Sequence, residues 1–234
     1  HVILLAYMVA DGCCIPASFG FTQVDGPVAD EMINLCYRNG WYIMPYGKTG
    51  TEAIDFRFHR GPGTPFDLIA QWGLFGKRSA TKYLPDWSMR LPKVQTALLL
   101  NRLWACDGHV SRRTPSRYEV VYSTISRQLA RQMQILLWRF GIPTRIRIGI
   151  PAVYVGTGKR HYMLTVQTQE GVRTFLAEIG ALGKSEAIPL PSVEENNNRD
   201  TFPIEITEDF QAIIKPAGLK RKESQIHAAG LRMS

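Results

Sequence analysis

One stretch of this 234-residue sequence is written twice, and that repetition limits the folds open to it. Residues 3–12 read Ile-Leu-Leu-Ala-Tyr-Met-Val-Ala-Asp-Gly, and residues 99–108 read Leu-Leu-Asn-Arg-Leu-Trp-Ala-Cys-Asp-Gly. Further on, residues 21–41 align without a gap on residues 122–142. There Ala29, Met32, Leu35, Arg38 and Gly40 match Ala130, Met133, Leu136, Arg139 and Gly141. Gly73-Leu74-Phe75-Gly76-Lys77 then matches Gly180-Ala181-Leu182-Gly183-Lys184. Three matches in the same order mark an internal repeat. The expected organisation is two pseudo-symmetric halves, 1–91 and 92–195, followed by a linker and small helical tail over 196–234.

Each half opens on an apolar helix closed by Asp-Gly, with the glycine expected to supply a positive-φ turn at the helix end. An amphipathic helix follows, over 27–39 and 128–140, and Gly141-Ile142-Pro143 stops the second of these. Ile54, Phe56 and Phe58 alternate with Asp55, Arg57 and His59, which is strand periodicity. Ile146, Ile148 and Ile150 alternate with Arg145, Arg147 and Gly149 in the same way, so these isoleucines are expected to be buried. A third helix precedes each Gly-Lys turn, over 66–73 and 172–180. The fold class is α+β: two αββαββα halves with antiparallel sheets. In the tail, helices are expected over 207–214 and 221–229.

Composition narrows the function. Hydrophobic residues are 45% and charged residues 21% of the chain, which excludes a disordered or collagen-like protein. No apolar run approaches the roughly 18 residues of a membrane helix. The apolar start lacks a basic leader, so no signal peptide is expected, and His1 suggests a piece of a longer chain. Cys13, Cys14, Cys36 and Cys106 make no CxxC pair and read as reduced, intracellular packing residues. His59, His109 and His161 lie on different segments without metal spacing. A net charge of +8 suggests a polyanionic partner, most simply nucleic acid.

The paired Asp-Gly helices resemble the double signature of the LAGLIDADG homing endonucleases, in their two-repeat monomeric form. Lys82-Tyr83-Leu84-Pro85 resembles the lysine block that intein endonucleases carry ahead of the second signature. The tail is similar to the region after the nuclease in replicative-helicase inteins, while no splicing block is visible. The resemblance implies a site-specific enzyme that cuts double-stranded DNA, acting in the cytoplasm as a monomer and fused to a splicing domain in the full-length chain. A cleavage-deficient DNA-binding regulator and an RNA-splicing maturase are the alternatives on the same scaffold. One residue departs from the pattern. The third signature position is usually small, which Ala6 suits and Arg102 does not. Arg102 must point outward from the helix pair, or the interface is altered.

If the signature helices pack side by side, Asp11 and Asp107 meet at one end. Two such carboxylates repel unless a cation lies between them. Mg²⁺ suits them as a hard ion, and the resemblance also admits Mn²⁺, with Ca²⁺ as a non-catalytic substitute. It further implies that the backbone carbonyls of Ala10 and Cys106 ligate metal. Lys82 is a candidate to offset transition-state charge. Lys184 is its rough symmetry mate, although the Gly-Lys alignment matches Lys184 to Lys77 instead. DNA contacts are expected from the strands, since a two-stranded ribbon fits the major groove. Candidates are Arg57 and His59 in the first half and Arg112, Arg113, Arg117, Arg145 and Arg147 in the second. Lys48, Lys159 and Arg160, at hairpin tips, are candidates for phosphate contacts.

Overall fold

The computed structural model describes residues 1–47, 52–114, 117–149 and 160–191. Lys48, Lys159, Ile150 and both expected tail helices lie outside the described residues, as does the side chain of Arg117. The described residues fall within one compact unit, His1–Ser192.

The first half runs α1 (Val2–Ala10), β1 (Gly12–Cys13), β2 (Gly20–Val24), α2 (Pro27–Arg38), β3 (Ile43–Gly47), β4 (Ala53–Phe58) and α3 (Pro65–Gln71). The second runs α4 (Lys93–Asp107), β5 (Gly108–Thr114), β6 (Arg117–Thr124), α5 (Arg127–Trp138), β7 (Thr144–Gly149), β8 (His161–Val166) and α6 (Gln169–Glu178). Both halves are αββαββα. Each sheet is antiparallel, with strand order β1-β2-β4-β3 in one and β5-β6-β8-β7 in the other.

The repeat holds down to register. Phe21, Phe56 and Pro45 form one cross-strand row in the first sheet. Tyr122, Leu164 and Ile146 form the corresponding row in the second. Local chemistry sets the element ends in the same paired way. Pro27 opens α2 from its first turn, and Ser126 caps α5 by accepting from the Leu129 N–H. Gly40 and Gly141 take φ of 65° and 70° at the ends of these helices. The following N–H groups, of Trp41 and Ile142, reach back to the Cys36 and Leu137 carbonyls, a closure that needs the left-handed residue between them.

α1 has no polar face, and Leu4 through Val9 are all buried. A helix apolar all round can sit only at the centre of a protein, and α1 packs there along α4. Trp104 of α4 lies against Tyr122 and Phe175, joining the helix to its own sheet and to α6.

Two expectations change. Gly12 and Gly108 are absent from the glycines with positive φ, and Gly108 is extended at φ −85°, ψ 157°. Crowding is the reason for glycine here. A Cβ on Gly12 would stand 2.5 Å from the Met8 Cα, and one on Gly108 would stand 2.3 Å from the Trp104 indole. The chain turns straight from helix into strand with no room for a side chain. Ile148 shares a face with Ile146 but is 61% exposed, because it borders an open cavity with Tyr162 and with Arg127 and Arg131 of α5 instead of close-packed side chains. Arg102 turns from the helix pair toward α2, the outward alternative. Its guanidinium grips Glu31 of α2 through two bonds of 2.7 and 2.6 Å.

Gly12→Ala is expected to lower stability by about 1–3 kcal/mol in thermal melting, because its Cβ meets helix backbone that cannot yield.

Candidate active site

The packing of α1 on α4 brings the ends of both helices together, with Asp11 just past the first and Asp107 closing the second. Burial raises both carboxyls above their ordinary value, and the charge of Asp11 adds to the rise at Asp107, which reaches about 6. Their polar partners differ. Gln23 of β2 donates to Asp11 at 3.0 Å, and the Cys106 thiol, crossing from α4, donates to it as well. Asp107 accepts from the Tyr122 phenol of β6 at 3.3 Å.

Lys82 is buried and sets its ammonium against the Ala10 and Gly12 carbonyls, at 3.2 and 2.6 Å. Lys184 donates to the Cys106 and Gly108 carbonyls, both at 2.8 Å, and to Trp104 at 3.3 Å. Ala10 and Gly12 are the repeat partners of Cys106 and Gly108, so Lys82 and Lys184 are mates in space. Lys77, the mate by alignment, instead lies over the Tyr83 ring. The two Gly-x-x-Gly turns do correspond, at Gly73 and Gly76 and at Gly180 and Gly183, all with positive φ. Only the distance from turn to lysine differs. Burial lowers both ammonium pKa values, while the charges of Asp11 and Asp107 oppose that fall.

Second-half residues hold both lysine segments. Ser126 donates to the Lys82 carbonyl at 2.6 Å, and the Gln132 amide takes both backbone groups of Leu84, at 2.8 and 2.6 Å. Asn101 of α4 donates to the Ile179 carbonyl and accepts from the Leu182 N–H, fixing the turn ahead of Lys184. Glu31 stands where Gln132 stands in the repeat, yet it takes Arg102 and the Tyr7 hydroxyl instead. Burial alone would raise the Glu31 carboxyl, but these bonds bring it below its ordinary value.

Among the described residues no group of three or more His, Cys, Asp or Glu could hold a metal ion. The donors that do converge are two mutually repelling carboxylates with backbone oxygens beside them. Such a set suits a hard divalent ion that keeps several waters, rather than a closed protein cage. The Ala10 and Cys106 carbonyls each carry a lysine bond and retain a second lone pair.

The strand candidates divide by face. Arg145 and Arg147 are exposed on the side of β7 opposite Ile146, in rows with Thr165 and Met163. Arg57 shares the matching face of β4 but lies 3.6 Å from Asp55. His59 and Arg160 are exposed beyond their strands. Arg113 engages Glu119. Arg112 pairs in register with Tyr118, over whose ring its cation sits, on the face shared with Val120 and Tyr122. That face is opposite to the one carrying Arg145.

The profile of LAGLIDADG-like domains matches residues 95–180. The chain has the LAGLIDADG fold. The homing endonuclease I-DmoI, solved in complex with DNA and Mn, superposes with a TM-score of 0.51 at 13% identity, over 76% of this chain and 94% of that one. Full-length DUF199/WhiA from Thermatoga maritima gives 0.53 at 14% identity, over 93% and 67%. At these identities the likeness is one of fold. In sequence, the replicative DNA helicase DnaB of Rhodothermus marinus is 29% identical over 97% of this chain. The protein RecA of Mycobacterium tuberculosis is 31% identical over 63%. The chain spans 26% of that helicase and 19% of that RecA.

Sequence reading missed Gln23, Gln132, Ser126, Asn101 and the Cys106 thiol. Only Gln23 left a trace, two residues after the aligned aromatic Phe21. The others act through contacts distant in sequence.

Asp107 also predicts a pH effect. Its folded value near 6 exceeds the ordinary 3.8, so folding favours the protonated form. That contribution is present below about pH 4 and is lost as pH rises through about 6. In metal-free buffer Asp107→Asn should therefore be more stable than the parent at pH 8, by roughly 2–3 kcal/mol, and equal to it near pH 4. Thermal melting across that range checks the sign.

Proposed function

We propose that this chain is a site-specific endonuclease that makes double-strand breaks in DNA by divalent-metal-dependent phosphodiester hydrolysis. The observation that carries the reading is the meeting of Asp11 and Asp107 at paired helix ends, each beside carbonyls held by a lysine ammonium. A divalent cation, when bound, supplies an activated water and neutralises charge developing on the phosphate. Asp11 and Asp107 would hold it, with help from the Ala10 and Cys106 carbonyls. Lys82 and Lys184 place fixed positive charge beside each acid, poised to stabilise an anionic transition state. Gln23 and Tyr122 orient the carboxylates. The solvent faces of the two sheets, with Arg57, Arg145 and Arg147, carry the DNA. The helicase relatives, matched over a quarter of their length, support a place as the nuclease part of an intein. The nuclease would act inside the cell as a monomer.

A maturase reading has one observation in its favour. Arg127 and Arg131 of α5 line a cavity of about 400 Å³ with Ile148 and Tyr162, on the helix side of the sheet. A regulator without cleavage is the other rival, and the paired acids with their lysines argue against it. Plasmid cleavage in Mg²⁺ against EDTA separates the endonuclease from both rivals.

Asp11→Asn and Asp107→Asn should each abolish double-strand cutting while leaving DNA affinity within roughly tenfold, since the acids make few groove contacts. Near-normal cleavage by either variant would remove the site assignment. Binding should also be salt-dependent. If about 8 phosphates are neutralised, log K falls with a slope near −7 against log salt, and a slope shallower than about −2 would assign the +8 to another role.

A further inference from the structure

The repeat allows the two solvent-facing sheet surfaces to be compared residue by residue. In the first sheet, one cross-strand row joins Arg57 of β4 to Met44 of β3, and the next joins Thr22, Asp55 and Tyr46. The corresponding rows of the second sheet are Val121, Thr165 and Arg145, then Ser123, Met163 and Arg147. Met44 therefore occupies the place of Arg145, and Tyr46 the place of Arg147.

Charge and exposure follow the same division. Met44 is 49% and Tyr46 62% exposed. Neither belongs to the buried core, so packing does not account for two large side chains held in water on a strand face. The one arginine of these first-sheet rows lies beside Asp55, which also accepts from Thr22 at 2.5 Å. These rows carry no net charge. The second-sheet rows carry two exposed arginines, and among the described residues neither has an acidic partner.

We propose that the two halves of the DNA target are read by different chemistry. The half under the first sheet is read through thymine 5-methyl groups by Met44 and Tyr46, and the half under the second through guanine by Arg145 and Arg147. The proposal rests on the reading above, in that DNA lies along both sheets. In the major groove only thymine offers an apolar group, its methyl, while guanine offers O6 and N7 to a bidentate arginine. Apolar side chains at arginine-equivalent positions thus convert a guanine reader into a thymine reader on the same backbone.

The test is a binding selection from a randomised duplex library, followed by base substitution in the selected site. One half should be rich in A·T pairs. Replacing its thymines by deoxyuridine should weaken binding about fourfold per contacted methyl, the equivalent of one buried carbon at about 0.8 kcal/mol. In the other half deoxyuridine should cost nothing, and 7-deazaguanine, which lacks the N7 acceptor, should cost about tenfold at a contacted position. Met44→Arg with Tyr46→Arg should abolish the deoxyuridine penalty and draw guanine into the first half, with melting unchanged because both positions are exposed. If sequences are selected but deoxyuridine costs nothing in either half, or equally in both, the division of labour is wrong while the DNA reading stands. If no duplex is retained above background, both fall.

Discussion

The packing of α1 against α4 is the contact on which the rest of this structure depends. α1 has no polar face, so it cannot be a surface helix, and it packs along the helix that repeats it. Burying one against the other fixes the axis about which the halves are related. It also brings two aspartates to one end of the interface, where each suffers desolvation and Asp107 feels the charge of Asp11 as well. The site is thus a consequence of the core. The same hydrophobic contact that stabilises the fold holds the carboxylates in an arrangement they would not adopt alone.

Symmetry is kept in the backbone and given up in the side chains. Strand order, register, helix ends and glycine turns correspond between halves. Ala6 faces Arg102 across the repeat, Glu31 corresponds to Gln132, and Gln23 serves one acid while Tyr122 serves the other. The Arg102–Glu31 pair shows how such an exchange is tolerated. A bulky cation at a position usually small moves away from the central interface and finds a carboxylate on α2, with the Tyr7 hydroxyl completing the group. Two halves constrained to one backbone can in this way present different partners at equivalent positions.

How much of this could be read in the sequence depended on distance along the chain. The repeat, the α+β class and the strand alternation of Phe56, Phe58 and Ile146 were legible, because they rest on periodicity and local turn chemistry. The need for glycine after each aspartate was legible too, though not its cause. Positive φ was the expectation, and close contact with the preceding helical turn is the fact. Ile148 shows the limit of a period-two pattern. Alternation assigns a face, while burial depends on how closely the layer above that end of the strand is packed.

The lysines mark the boundary most clearly. By alignment Lys184 answers to Lys77, because the Gly-Lys strings agree. In space it answers to Lys82, because ammonium groups are drawn to carbonyls left without partners where helices end, and a long flexible side chain reaches them from different points of a loop. The sequence by itself determined that two like units are joined, which face of each element is apolar, and that an acid closes each central helix. Only the tertiary structure decided which lysine meets which carbonyl, which residues of the second half hold the Lys82 segment, and that Met44 and Tyr46 stand where arginines stand in the other half. Pattern is set by neighbours within a turn or a strand; these contacts join residues up to 80 positions apart, whose meeting follows from how the whole chain closes on its core.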